Sequence, residues 1–145
     1  MASADAPVTI LVLCTGNSCR SILGEALFRE LGGDRVIVES AGARPEGAVN
    51  ERTIRVLDEH EIGHGWARSK SMTEFLDRPF DHVITVCDEA AEVCPVFPGP
   101  AQRTHWSIPD PAAARGTDDE QLAVYRHTFE ELRTRIAAFL ATLPR

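Results

Sequence analysis

The sequence lacks both a long apolar run and an excess of basic residues. No stretch approaches the ~20 consecutive apolar residues of a membrane-spanning helix, so we expect no membrane insertion. Asp and Glu number 22 against 15 for Lys and Arg, which gives a net charge of −7. This balance argues against a nucleic-acid partner, which needs a basic face. A small anion remains compatible with it, because the local field in a cleft can oppose the net charge.

The N-terminus also lacks a secretory signal. Residues 1–7 are small and acidic, without a basic start or an apolar stretch, so we expect a cytoplasmic protein. Structural disulfides are rare in that compartment. The four cysteines therefore indicate buried thiols, a metal site or redox chemistry. The length of 145 residues predicts one domain, residues 1–145.

Zinc-site spacing is missing as well. Neither Cys14 and Cys19 nor Cys87 and Cys94 have the C-x2-C spacing of zinc sites, and the five histidines form no finger-like pattern. We predict no metal site and interpret His105 as a structural residue.

The apolar pattern that is present predicts strands alternating with helices. Residues 8–13 form a nearly continuous apolar run of strand length, typical of a strand buried on both faces. Further strands are predicted at 36–38, 80–86 and 104–107. Helical segments are predicted at 22–31, after Asn50, as one turn at 88–93 and at about 118–143, and 72–76 is a short amphipathic segment. This alternation predicts a single-domain α/β fold with right-handed crossovers and an open parallel sheet.

Three reactive side chains directly follow predicted strands, namely Cys14, Cys87 and Asp110. Ligands of open parallel sheets bind beyond the carboxyl ends of the strands, so we expect these residues in one site. Asp110 lies between two prolines that restrict its backbone, and its carboxyl group could protonate a departing oxygen. The alternative is a turn-forming Asp in a surface loop.

Residues 14–21, here called the anion loop, have the pattern of an oxyanion site. Backbone N–H groups and a helix N-terminus favour an anion between a strand and a helix. Arg20 adds a planar fork of donors. The same field favours the Cys14 thiolate, to which Ser21 could donate a hydrogen bond. The predicted oxyanion-binding residues are Thr15, Gly16, Asn17, Ser18, Cys19 and Arg20.

The anion loop differs from a nucleotide-binding loop. It has neither the Gly-Lys-Ser/Thr ending nor the G-x-G-x-x-G pattern of nucleotide loops. The structural alternative is a buried Cys14 with Arg20 paired to a surface carboxylate. Cys19 is expected to pack as a small hydrophobic residue without a catalytic role.

Cys87 and Cys94 form a second candidate pair, seven positions apart. A disulfide needs Cα atoms within ~7 Å. An extended segment or a regular helix would hold these two residues further apart, so a bond requires the segment to rearrange. The pair is interpreted as a redox couple; the alternative is one core thiol and one incidental surface thiol.

Together these motifs resemble the thioredoxin-coupled arsenate reductases, relatives of the low-molecular-weight tyrosine phosphatases. The resemblance rests on the anion loop, on Cys87-x6-Cys94-Pro95 and on His105-Trp106 followed by Asp110-Pro111. It spans nearly the whole chain. It implies a low-molecular-weight phosphatase-like, four-stranded parallel sheet with helices on both faces.

The resemblance also implies a mechanism. Cys14 attacks arsenate held by Arg20, while Asp110 protonates the leaving group. Cys87 then attacks Cys14 and releases arsenite, and Cys94 attacks Cys87. Thioredoxin, the expected electron donor, reduces the final Cys87–Cys94 disulfide by thiol–disulfide exchange. Phosphate or sulfate is expected to compete with arsenate, and we expect a monomer.

No tightly bound cofactor is expected, although some relatives hold a potassium ion near the anion loop. Asn17, Glu25 and Ser40 match its ligands, and Ser69 stands near the place of another. Lys70 follows where those relatives have an acidic ligand. We hypothesise that Lys70 supplies the positive charge and removes the need for potassium.

Three competing functions remain at this point. A tyrosine phosphatase would need Cys14, Arg20 and Asp110 alone, but residues 111–115 lack the aromatic residues that usually grip its substrate. An arsenate reductase that uses a small thiol would need no resolving pair. A binding module, either an anion sensor or a zinc-dependent regulator, would have no turnover.

Overall fold

Four parallel strands form one sheet in a computed structural model that describes residues 6–88 and 92–143. The strands are β1 (Val8–Cys14), β2 (Val36–Gly42), β3 (His82–Thr85) and β4 (Gln102–His105), in the spatial order β2-β1-β3-β4. The α-helices are α1 (Arg20–Gly32), α2 (Glu51–Glu59) and α3 (Asp118–Ala141). Short 3₁₀ helices cover Gly33–Arg35, Met72–Phe75 and Pro111–Ala113.

The three α-helices share one core with the first face of the sheet. Alternate residues of a strand point to opposite faces, and Ile10 and Val12 of β1 point to this one. The helical residues packed against them include Leu23 of α1, Leu57 of α2 and Phe129 of α3. The predicted apolar stripes of the three helices therefore meet in a single cluster.

A smaller hydrophobic cluster packs on the second face of the sheet. Leu11 and Leu13 of β1 pack there against Phe75, Phe80 and Phe97. Phe75 belongs to the 3₁₀ helix, whereas Phe80 and Phe97 lie in loops. The predicted α/β fold with helical elements on both faces is confirmed, with α-helices on one face and a 3₁₀ helix on the other.

Two helix starts show the local signals that specify them. Asn50 accepts a hydrogen bond from the backbone N–H of Arg52 (2.8 Å), so the predicted cap of α2 is confirmed. Thr117 and Glu120 form a reciprocal capping box at the start of α3. Each such cap satisfies backbone donors that have no partner inside the helix.

The strand and helix ends differ from the prediction by a few residues. The predicted strand at 104–107 lies at 102–105, and the backbone N–H of Trp106 still donates to the carbonyl of Thr85 (2.8 Å). The helical turn predicted at 88–93 includes 89–91, which lie outside the described residues, as do both ends of the predicted domain. Within 6–88 and 92–143, no helix has the length and apolar character to span a membrane.

Candidate active site

A cavity of about 120 Å³ lies at the carboxyl edge of the sheet, where β1 passes into the anion loop. Its lining residues are Cys14, Thr15, Gly16, Ser18, Cys19, Arg20, Arg44, Glu46, Glu92 and Asp110. The structure thus brings Cys14, Arg20 and Asp110 together. Cys87, which follows β3, is fully buried and is not one of the lining residues.

The Cys14 sulfur lies in a network of hydrogen bonds. Its Sγ atom is 2.9 Å from Ser21 Oγ and accepts from the backbone N–H of Asn17 (3.2 Å). Asn17 Nδ2 donates to Ser21 Oγ (2.7 Å), which leaves the hydroxyl hydrogen of Ser21 to point at the sulfur. The orientation of the Asn17 amide is set by the backbone N–H of Lys70, which donates to Oδ1 (2.8 Å). This arrangement supplies two donors to a Cys14 thiolate.

The anion loop is fastened to its surroundings through its carbonyl groups. Those of Thr15, Gly16 and Ser18 accept hydrogen bonds from backbone N–H groups of residues 44–50 at 2.9 to 3.0 Å. The hydroxyl of Ser69 also donates to the carbonyl of Gly16 (3.0 Å). These bonds hold the loop in one conformation before any ligand arrives.

Arg20 is buried at the first position of α1 and aims its guanidinium into the cavity. Nη1 donates to the carbonyl of Ile108 (3.0 Å), which fixes the plane of the group. The fork is paired with Glu92, through Nη1 to Oε2 and through Nη2 to Oε1 at 3.0 Å. Asp110 Oδ2 lies 3.8 Å from Nη2. The structural alternative predicted a carboxylate partner for Arg20. Glu92 is such a partner, and it lines the cavity.

Glu92 accepts hydrogen bonds from two residues besides Arg20. Thr15 Oγ1 donates to Oε1 (2.6 Å), and the backbone N–H of Asp88 donates to Oε2 (3.0 Å). Burial alone would raise the pKa of Glu92, but the bonds from Arg20, Thr15 and Asp88 outweigh it and lower that pKa to about 2. The cavity therefore contains an ionised carboxylate at neutral pH.

Asp110 forms the turn that the sequence allowed and also faces the cavity. Its Oδ1 atom accepts from the backbone N–H of Ala112 (2.9 Å) and begins the 3₁₀ helix Pro111–Ala113. Its other oxygen faces Arg20, and the side chain is 42% exposed. A carboxyl group so placed can exchange protons with water and reach the cavity.

Cys19 behaves as the sequence predicted. It is 3% exposed and belongs to the main core cluster. Burial raises the pKa of its thiol far above the ordinary value, so this sulfur stays protonated. Cys19 therefore lines the cavity as a neutral group.

Cys87 and Cys94 are joined in a disulfide with a Cα–Cα distance of 5.9 Å. This distance is shorter than the ~10 Å that seven residues of a regular helix would span. The backbone N–H of Glu92 donates to the carbonyl of Asp88 (2.9 Å). Cys87 is buried and Cys94 is partly exposed, so an external thiol has easier access to Cys94.

His105 lies beside this disulfide, which the sequence did not suggest. A ring nitrogen and both sulfurs lie within 4.8 Å of one another, and Nδ1 is 2.7 Å from Thr85 Oγ1. In the described parts of the chain, this is the one group of three side chains with metal-ligand spacing. With the sulfurs bonded to each other, neither can act as a thiolate ligand.

A buried cation lies next to the anion loop. Lys70, the one lysine of the sequence, places Nζ 3.8 Å from Glu25 Oε1, and both side chains are less than 5% exposed. Ser40 donates to Glu25 (2.6 Å) and accepts from Asn17 Nδ2 (3.1 Å). Burial lowers the pKa of Lys70, against the attraction of Glu25. Burial likewise raises the pKa of Glu25, against hydrogen bonds from Ser40 and Arg29.

Three lining residues were not predicted from the sequence: Arg44, Glu46 and Glu92. Glu46 accepts a hydrogen bond from Ser18 Oγ (3.1 Å). Arg44 and Glu46 follow β2, whose carboxyl end lies at the same edge of the sheet as that of β1. Their position directly after a predicted strand could therefore have indicated that they line the site. Glu92 had no such signal, since its position depends on how the segment between two cysteines folds.

Comparisons with known proteins agree with this geometry. The model of the low molecular weight phosphotyrosine protein phosphatase family matches residues 9–145. An arsenate reductase from Halalkalibacterium halodurans is 40% identical over 133 residues, which cover 92% of this chain and 95% of that protein.

Two solved structures have the same fold. The crystal structure of an arsenate reductase from Archaeoglobus fulgidus superposes with a TM-score of 0.77 at 30% identity, over 91% of this chain and 98% of that chain. A thioredoxin-dependent arsenate reductase from Corynebacterium glutamicum gives 0.72 at 26% identity, over 99% of this chain and 64% of that chain. The chain therefore belongs to the low molecular weight phosphotyrosine protein phosphatase family and, within it, to the arsenate reductases.

Proposed function

We propose that this protein reduces arsenate to arsenite at Cys14 and passes the oxidation through Cys87 to Cys94, where thioredoxin removes it. The observation that carries the proposal is the Cys87–Cys94 disulfide, whose closed segment extends Glu92 into the Cys14 cavity. A phosphatase needs the cavity but no second pair of sulfurs. The relatives named arsenate reductases support the same choice.

The first step is attack on arsenate by the Cys14 thiolate, which Ser21 and the N–H of Asn17 stabilise. An S–As bond forms and the As–OH bond breaks: the hydroxyl group of hydrogen arsenate takes a proton from Asp110 and leaves as water. The guanidinium of Arg20 matches two oxygens of the tetrahedral anion and offsets its charge.

The second step moves two electrons to arsenic. The Cys87 thiolate attacks Cys14 Sγ, and the electron pair of the S–As bond goes to arsenic, which departs as arsenite. A Cys14–Cys87 disulfide remains. Cys94 then attacks Cys87 and releases the Cys14 thiolate, giving the Cys87–Cys94 bond that the structure contains. Reduced thioredoxin attacks at the more accessible Cys94 and restores both thiols.

Lys70 accounts for the positive charge next to the anion loop in this proposal. Its ammonium group lies by Glu25 and its backbone N–H holds Asn17, so a bound potassium ion has no remaining charge to offset. In this proposal arsenate is the substrate, and phosphate and sulfate compete with it for the site. We propose a cytoplasmic location, since the relay needs thiols that are kept reduced. The proposed mechanism uses the residues of one chain, and we propose that the protein acts as a monomer.

The decisive experiment separates the three sulfurs by product stoichiometry. Without thioredoxin, reduced Cys94→Ser should release one arsenite per protein and stop with Cys14 bonded to Cys87, which mass mapping detects. Cys14→Ser and Cys87→Ser should release none. With thioredoxin, its reductase and NADPH, only the wild type should turn over repeatedly.

Each competing function predicts a different result, in that experiment or in a phosphatase assay. Normal thioredoxin-coupled turnover by Cys87→Ser would refute the relay. Activity that is insensitive to Cys94→Ser but depends on a small thiol would indicate the other class of arsenate reductase. Hydrolysis of an aryl phosphate at rates well above arsenate reduction would favour the phosphatase.

A further inference from the structure

The carboxylate of Glu92 occupies the position that an oxyanion needs. It accepts from both terminal nitrogens of Arg20, from Thr15 Oγ1 and from the backbone N–H of Asp88. Arg20 and Thr15 belong to the anion loop, and the guanidinium is the planar fork that a tetrahedral anion would engage. A second anion would have to displace Glu92 or share these donors with it.

Glu92 lies two residues before Cys94, inside the segment that the Cys87–Cys94 bond closes. The bond holds the ends of this segment at a Cα–Cα distance of 5.9 Å, and the backbone N–H of Glu92 donates to the carbonyl of Asp88 (2.9 Å). Reduction breaks the covalent bond, so that hydrogen bonds alone would then keep Glu92 at Arg20.

Charge makes the two occupants mutually exclusive. The low pKa of Glu92 keeps its carboxylate ionised across the neutral range. Arsenate and phosphate are also anions there, and like charges at such short range repel each other. The cavity of about 120 Å³ has one buried guanidinium, which Glu92 and Asp110 already share. Its other lining cation, Arg44, is exposed.

We propose that Glu92 is an internal anion that fills the oxyanion site whenever Cys87 and Cys94 are bonded, and leaves it when thioredoxin reduces them. The oxidised protein then excludes arsenate until both thiols are restored. In that reduction two electrons and two protons pass from the thioredoxin dithiol to the two sulfurs. This inference rests on the proposed function for the order of events, although its binding test does not require turnover.

The test uses inorganic phosphate, which the relay cannot reduce, and isothermal titration calorimetry. Reduced wild type should bind phosphate at least about 10-fold more tightly than oxidised wild type, in the usual range of coupling between two sites. Oxidised Glu92→Gln should bind phosphate about as tightly as reduced wild type. Glu130→Gln, on an exposed part of α3 outside the cavity, makes the same charge change and should behave as wild type.

A second readout does not depend on heat signals. Iodoacetate carries a charge and iodoacetamide does not, so the ratio of their rates with Cys14 reports whether an anion can enter. In oxidised wild type this ratio should be low, and in oxidised Glu92→Gln it should rise severalfold. Equal phosphate affinity and equal alkylation ratios in the two oxidised proteins would overturn the proposal.

The outcomes also separate this inference from the reductase function. Phosphate exclusion that Glu92→Gln relieves, in a protein that never reduces arsenate, would keep the Glu92 proposal and remove the proposed function. Thioredoxin-coupled arsenate reduction with no difference in phosphate binding between oxidised and reduced protein would do the reverse.

Discussion

Asn17 determines the direction of the hydrogen bonds around the reactive sulfur. Its amide oxygen accepts from Lys70, so its Nδ2 group must donate, and it donates to both Ser21 and Ser40. Ser21 can then direct its hydrogen at Cys14, while Ser40 directs its own at Glu25. The backbone of Asn17 also adopts a left-handed conformation, with φ of 46°, which asparagine tolerates better than most residues. One side chain thus links the nucleophile to the buried Lys70–Glu25 pair.

Replacing Lys70 should reveal a dependence on potassium that the wild type does not have. Wild type should reduce arsenate at equal rates in sodium and potassium chloride, because its cation is part of the chain. Lys70→Met removes that charge from beside Glu25, which keeps Arg29 as a partner, and leaves the backbone N–H that holds Asn17 in place. Its activity should fall about 10-fold. Potassium, but not sodium, should restore much of it.

The salt experiment has a clear contrary result. A several-fold rise in wild-type activity on replacing sodium by potassium would show that the ion is needed despite Lys70. Arg68→Met serves as the control, since it removes an exposed positive charge close by in the sequence. It should leave the response to both salts unchanged.

At the scale of elements, the end of β2 shapes the anion loop. A Cβ atom on Gly42 would lie 2.5 Å from the carbonyl oxygen of Thr15 and 2.9 Å from the backbone nitrogen of Asn17. Both contacts involve backbone atoms, which cannot move without displacing the loop. The absence of a side chain at this position is therefore a condition for the observed loop conformation.

Gly42→Ala should damage both stability and activity. The displaced backbone should cost about 1–3 kcal/mol of unfolding free energy, and turnover should fall by at least about 10-fold as the donors to Cys14 shift. Chemical denaturation and steady-state kinetics measure the two effects. Gly63→Ala is the matched control, because nothing lies within 4 Å of its added Cβ; similar losses in both variants would contradict the steric explanation.

Local signals explain which elements the sequence could predict. The apolar run of β1, the cap at Asn50 and the stripe of α3 each depend on neighbouring residues, and all three are found. The prediction missed the first two residues of β4, Gln102 and Arg103, because both are exposed and polar. An edge strand is held by backbone bonds, and hydrophobic patterns do not register those.

The site divides in the same way. The anion loop could be predicted because strand, loop and helix follow one another in sequence. The place of Glu92 could not, since Glu92 lies in a segment that the Cys87–Cys94 bond closes and pairs with a distant residue, Arg20. A pairing between residues 72 positions apart leaves no periodic trace in the chain.

On the scale of the whole molecule, the redox state should control how an anion stabilises the fold. A ligand that binds one state stabilises that state by RT ln(1 + [L]/Kd). Phosphate at 100 times its dissociation constant should therefore stabilise the reduced protein by about 2.7 kcal/mol, which thermal unfolding reports as a rise of several degrees. The oxidised protein, which should bind phosphate at least about 10-fold more weakly, should gain about 1.4 kcal/mol or less at the same concentration, and oxidised Glu92→Gln should regain the larger shift.

The buried Lys70 has one more consequence, for handling and for habitat. A counterion that belongs to the polypeptide cannot be dialysed away, chelated or replaced by a competing salt. Its local concentration is constant whatever the ionic composition of the cell. A chain built in this way should give the same arsenate chemistry in potassium-poor and potassium-rich surroundings.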